Sequence, residues 1–175
     1  MRQKVDDEGR GGFTLLEIMI VIAILGILAV IGVTNFRGLN EKYKVEAETK
    51  QFYADVMDAR GRAMQRNRMF FVRFSGTGTD YTGYSTYEDT NTPPDGNGSL
   101  ENTVDTRVAS VSVAHTFTST TAGGFDFNRN GIASVATGNI LFSSTAKPDY
   151  DCITILPTRI KMGQFNAGTG MCDEK

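Results

Sequence analysis

Five groups of residues have the types and spacing that chemistry needs. Asp126, Asn128 and Asn130, followed by Gly131, reproduce the opening D-x-N-x-N-G of a calcium loop, in which alternate side-chain oxygens face one cation. The twelfth position of such a loop carries a bidentate glutamate; here it is Thr137, and the flanks look like strands, so a turn is the preferred reading of residues 126–131. Arg60, Arg62, Arg66, Arg68 and Arg73 offer a cluster of cations to a polyanion. Cys152 and Cys172 offer either one disulfide or two free thiols. His115 is the only histidine, no motif places a nucleophile or carboxylate beside it, and no Cys/His spacing suits zinc. Neither catalysis nor a cofactor is indicated. The fifth group is a single carboxylate, Glu17, set inside an apolar run.

The elements that must carry these residues are of two kinds. Residues 13–33 are apolar apart from Thr14, Glu17, Gly26 and Gly32, and as a helix they would cover about 31 Å, the thickness of a bilayer core. A carboxylate at the centre of such a helix costs about 2.5–3.5 kcal/mol, and less near an edge. Glu17 therefore either reaches back to the headgroups or meets a dedicated partner. After Asn35 the pattern changes: Val45, Thr49, Phe52, Val56, Ala59 and Ala63 recur at steps of four and three on one face, with Lys42, Glu46, Lys50 and Asp58 elsewhere. One long helix is predicted from Phe13 to Arg66, its second half packed on a head domain.

Downstream the chain reads as β. The runs "MFFVRF", "DYTGYSTY", "RVASVSVAHTF", "NILF", "DCITIL" and "RIKMGQF" are rich in β-branched and aromatic residues, and residues 88–99 form a long exposed loop by composition. If the last two runs close around Pro157 and Thr158, residue 155 faces 160 and 153 faces 162. Ile153, Ile155, Ile160 and Met162 then share the buried side, while Cys152 points away from it and meets Cys172 if the tail "NAGTGMC" folds back. Closing that loop would stabilise by roughly 3 kcal/mol on the chain-entropy model.

Charge narrows the partners. The formal net charge is −2, which excludes a strongly basic protein with general affinity for polyanions. On a helix, Arg62 and Arg66 share a side while Arg60 and Arg68 point elsewhere, so no single basic stripe forms, and cations near a helix C-terminus complement its dipole.

The stretch from Gly12 through "FTLLEIMIVIAILGILAVIGVTNF" resembles the N-terminus of type IV pilins and type II secretion pseudopilins. The small residues Gly11 and Gly12 stand before the apolar run, where a secretory signal would place its cleavage site after it. The resemblance implies that a prepilin peptidase cuts between Gly12 and Phe13 and that the new amino group of Phe13 is methylated. It also implies that Glu17 pairs with the charged amino terminus of a neighbouring subunit during filament assembly. Basic residues flank both ends of the run, so orientation, with the N-terminus cytoplasmic and the head outside, rests on the resemblance too. Thr34 stands where many members of the family carry a proline. A second stretch, "AR-x-x-A-x-x-RN" over residues 59–67, is similar to the GspH/FimT group of minor pilins and pseudopilins, whose β-sheet head follows the helix directly.

The expected protein is thus α+β: a leader over 1–12, a membrane-spanning half-helix over 13–34, an amphipathic half over 35–67 and a β-rich head over 68–175. Its expected role is structural, as a minor pilin or pseudopilin in the inner membrane and in a type IV pilus or type II secretion filament. The expected partners are other subunits, the prepilin peptidase and the inner-membrane assembly platform. A DNA-binding minor pilin, reading DNA with the five arginines, and a major pilus subunit are the alternatives.

Overall fold

The computed structural model describes residues 12–91 and 96–175, without the side chains of residues 31–37. Of the expected leader only Gly12 is among them. The chain divides into two compact units, Met1–Gly38 and Leu39–Lys175. One 52-residue helix, α1 (Leu15–Arg66), begins in the first unit and opens the second.

Both ends of α1 follow from local sequence. At its start the Thr14 hydroxyl accepts the N–H of Glu17 at 3.2 Å, and the Ile18 N–H bonds the Thr14 carbonyl. Thr14 is therefore the N-cap, which is why the helix begins two residues later than the apolar run does. At its end Asn67 takes a left-handed φ of 54°, and the Arg68 N–H returns to the Ala63 carbonyl at 3.3 Å. That is the six-to-one bond of a Schellman cap, with asparagine where glycine is commonest.

In the second unit the expected helical face is the buried one. Val45, Thr49, Phe52, Val56 and Ala63 are fully buried and Ala59 nearly so, and the Thr49 hydroxyl is satisfied by the Val45 carbonyl at 2.8 Å. Glu46, expected off that face, is buried as well. It accepts the Asp149 N–H at 2.8 Å and is flanked by Lys42 and Lys50, which compensates the cost of burying a carboxylate.

Among the described residues eight strands form one antiparallel sheet: β1 (Phe70–Thr77), β2 (Asp80–Glu88), β3 (Thr106–Ser119), β4 (Gly124–Phe127), β5 (Gly138–Phe142), β6 (Cys152–Ile155), β7 (Ile160–Asn166) and β8 (Met171–Glu174). Their order is β4-β1-β2-β3-β5-β6-β7-β8. The helix face meets an aromatic cluster on this sheet. Phe52 lies 4.6 Å from Tyr84 and 5.7 Å from Phe117, ring centre to ring centre, with Phe74 and Phe142 at 6.2 Å. The β6–β7 register is the predicted one, Ile155 opposite Ile160 and Ile153 opposite Met162, with the isoleucines buried.

Three features depart from the sequence reading. Residues 88–99 are not simply an exposed loop: Glu88 ends β2 and, like Asp89, is buried. The Asp89 carboxylate accepts the N–H groups of Asn97 and Gly98, and a Cβ on Gly96 would lie 2.2 Å from it. Asp105, also buried, accepts those of Thr90, Asn91 and Glu101. Backbone donors thus turn two acids inward. Second, "GFDF" is the strand β4, so the turn covers only residues 128–131. Third, the polar segment Met171–Glu174 is a strand, and Cys152 is buried because it bonds Cys172 across β7, with Cα atoms 5.9 Å apart. The crossing point on β7 is Gly163, where any Cβ would stand 2.1 Å from the Asp173 carbonyl.

Candidate functional site

The described apolar residues of the first unit, from Phe13 to Val30, lie on an exposed stretch that is helical from Leu15. Phe13 and Leu15 are each 79% exposed, and every large apolar residue from Leu16 to Val30 is open on the structure. A helix apolar all round is stable only when something other than water covers it. Among the described residues no helix is long and apolar enough to cross a membrane; the run continues to Val33, and residues 31–33 belong to the stretch whose side chains are not described.

Glu17 sits three residues after the N-cap, on the first turn of α1 and exposed. Thr-x-x-Glu is the sequence signature of a capping box, and a carboxylate there lies where the helix dipole favours negative charge. The T-x-x-E signal stands at the head of the apolar run, and it is what locates the helix start.

The five arginines do not converge on one surface. Arg62 pairs with Asp58 one helical turn away at 2.6 Å. Arg66 and Arg68 both bond the buried Glu88, tying the end of α1 to the end of β2. Arg73 bonds Asp126 and the carbonyls of Val72 and Phe125. Arg60 lies against Gly131, and its Nε has no hydrogen-bond partner. Four of the five guanidiniums thus pair with carboxylates, Arg66 and Arg68 sharing one, which leaves little charge for a phosphate backbone.

The calcium-like residues are likewise committed elsewhere. Asp126 is on β4 with Arg73, while the Asn128 side chain accepts the N–H groups of Asn130 and Ile132 and so closes the turn. Among the described residues no cluster of three acidic, His or Cys side chains could hold a metal ion. His115 faces Glu48, whose carboxylate takes the N–H groups of Ala114 and His115 and meets Nδ1 at 3.1 Å.

A loop over residues 143–151 is held to α1 mainly by carboxylates. Glu41 accepts the Thr145 hydroxyl at 2.8 Å and its N–H at 3.1 Å, and Lys42 bonds Asp149 at 2.9 Å. The Thr145 bonds hold Glu41 below its ordinary range, and Lys42 does the same for Asp149. A carboxyl lowered on folding stabilises above its unfolded pKa, and that contribution disappears as pH falls through the folded value. The loop should therefore be tied down at neutral pH and come free in acid, below about pH 4, before the aromatic core opens. Titration of the Thr145 and Asp149 amide resonances against those of Phe117 and Phe142 checks this; simultaneous changes would count against it.

Comparison with known proteins agrees with this arrangement. Residues 9–33 match the family model described as a prokaryotic N-terminal methylation motif, and residues 48–158 match the one described as type II transport protein GspH. Two crystal structures of the type IV minor pilin FimU of Pseudomonas aeruginosa are similar to this chain at 15% identity. One, with a TM-score of 0.50, covers 67% of this chain and 90% of FimU. The other, with a TM-score of 0.51, covers 71% and 91%. At that identity the likeness is one of fold. No curated protein matches the chain.

Proposed function

The chain belongs to the family of the type II transport protein GspH and is a minor pilin or pseudopilin, and we propose that it works by assembly, not catalysis, as a subunit of a secretion or pilus filament. The observation that carries this reading is the continuity of α1 from the methylation motif into the buried face of the head. The apolar half, residues 13–34, is an anchor in the inner membrane before assembly and packs among neighbouring subunits afterwards. The N-terminus is cytoplasmic and the head lies outside.

In this reading the prepilin peptidase cuts between Gly12 and Phe13, and the new amino group of Phe13 is methylated. The assembly platform then receives a subunit whose Glu17 is presented on the first helical turn. The subunit contact is a carboxylate on an ammonium in low dielectric, where a hydrogen-bonded ion pair is worth more than in water.

The processing step has a direct test. Mass spectrometry of the protein from membranes of its host should show a chain beginning at N-methylated Phe13, and loss of the prepilin peptidase should leave the residues 1–12 attached. A mature protein that keeps Met1 with the peptidase present would overturn the reading.

A further inference from the structure

The chain contains two Asn-Gly pairs, Asn97–Gly98 and Asn130–Gly131, in each of which a carboxamide is followed by a backbone nitrogen that no Cβ shields. Such a nitrogen can attack the Cγ of the asparagine before it. Three things favour the attack: a base on the glycine N–H, a donor on the carboxamide oxygen, where negative charge gathers, and a carboxamide already held in place. The fold supplies them unequally to the two pairs.

At Asn97 all three are present. The Gly98 N–H donates to Oδ2 of Asp89 at 2.7 Å, within the reach of a general base. Asp89 is fully buried and its Oδ1 accepts the Asn97 N–H, so the carboxylate is fixed against the loop. The Ser99 N–H donates to Oδ1 of Asn97 at 2.9 Å, which is the place of an oxyanion donor. The Asn97 Nδ2 donates to Glu101 at 2.9 Å and so orients the carboxamide. Asn97, Gly98 and Ser99 are exposed, and water reaches them.

Asn130 has the same neighbour without the same partners. The Gly131 N–H donates to the Asn128 carbonyl at 2.8 Å, an acceptor far too weakly basic to take the proton. The Ile132 N–H, counterpart of the one on Ser99, is taken by the Asn128 side chain at 3.0 Å.

We propose that Asn97 is a self-modifying site, at which the Gly98 nitrogen closes on Cγ of Asn97 with Asp89 as the base. The new C–N bond completes a cyclic imide. The bond from Cγ to Nδ2 breaks, and the proton that Asp89 takes from Gly98 leaves with Nδ2 as ammonia. Water then opens the ring at either carbonyl, giving aspartate or, with the backbone rerouted through the side chain, isoaspartate. Water is the only co-reactant.

Either product sets a third carboxylate beside Asp89 and Glu101, where like charges repel. Isoaspartate also lengthens the backbone between the two N–H groups that Asp89 holds. The loop around Asn97 therefore loses its hold on Asp89 as the protein ages. The inference goes beyond the filament reading and does not depend on it, since the reaction needs only the folded head and water.

Peptide mapping by mass spectrometry tests it on the purified full-length protein, kept warm at neutral pH in heavy-oxygen water. Conversion that includes isoaspartate is expected at Asn97, about tenfold or more faster than at Asn130. Asp89→Asn should slow it about a hundredfold. In urea, where the partners of both sites are gone, the two rates should converge. Equal conversion of the two sites in the folded chain, or none at Asn97, overturns the proposal. So does an Asp89→Asn chain that converts at Asn97 as fast as the original or faster, since the Asp89 bond would then be a protection. A difference that persists in urea would belong to Ser99 and Ile132 as local sequence and would overturn it too. The comparison within the unsubstituted chain decides the matter if Asp89→Asn does not fold.

Discussion

Glu17→Ala is expected to leave the protein in the membrane fraction and remove it from filaments. Insertion depends on the apolar residues around position 17, and deleting a charge from such a segment favours insertion. Incorporation depends on what the carboxylate meets. In the proposed processing, cleavage before Phe13 would put a new positive charge at the end of α1 where the helix dipole is itself positive, so the ammonium would be poorly placed unless an anion is brought to it. Losing one buried partner of such a pair costs about 3–5 kcal/mol, enough to lower incorporation by two orders of magnitude or more. Fractionation followed by blotting of purified filaments measures both halves of the result. Glu17→Asp, one methylene shorter, should keep the local charge and recover only part of the incorporation. Normal incorporation of the alanine variant would reduce Glu17 to its role in the first turn of the helix.

The second large effect belongs to the head. Phe52 is fully buried and touches four aromatic rings from β1, β2, β3 and β5, so Phe52→Ala leaves a cavity that no single neighbour can fill. Such truncations cost about 3–5 kcal/mol, a large share of the stability of a domain this size. Urea denaturation of residues 39–175 should show a lower midpoint with an unchanged slope. Met57→Ala, on the open side of the same helix, should shift it by no more than about 0.5 kcal/mol. A loss below about 1 kcal/mol for Phe52→Ala would mean that the core is not organised around this ring.

Where periodicity carried the information, the sequence was readable. The buried face from Val45 to Ala63 repeats at 3.6 residues, and the β6–β7 register follows from a period of two once the turn at Pro157 is placed. Hydropathy set the start of α1 at Phe13, two residues early, because the cap chemistry of Thr14 and Glu17 fixes it instead. The buried acids were not readable: Glu46, Glu88, Asp89 and Asp105 look like solvent-facing charges, and what buries them is backbone N–H groups and arginines from other segments. For the same reason the arginine cluster looked like a surface in the sequence, since Glu88 lies 22 residues from Arg66. β8 escaped because "MCDE" has no strand pattern; its place depends on a covalent bond to β6 and on a missing side chain at Gly163.

The order of the sheet also sets a timetable. β1, β2 and β3 are neighbours in the chain and in the sheet, so this meander can zip together as soon as it is delivered. β4 must then travel back past it to pair with β1, bringing Phe127 to Phe70, and β5 returns to the far side to meet β3. Contacts between such distant residues form slowly because the intervening chain must first give up its freedom. For that interval the young head has bare strands on both flanks, and whatever attends its folding must keep those flanks apart from every other copy until β4 and β5 arrive.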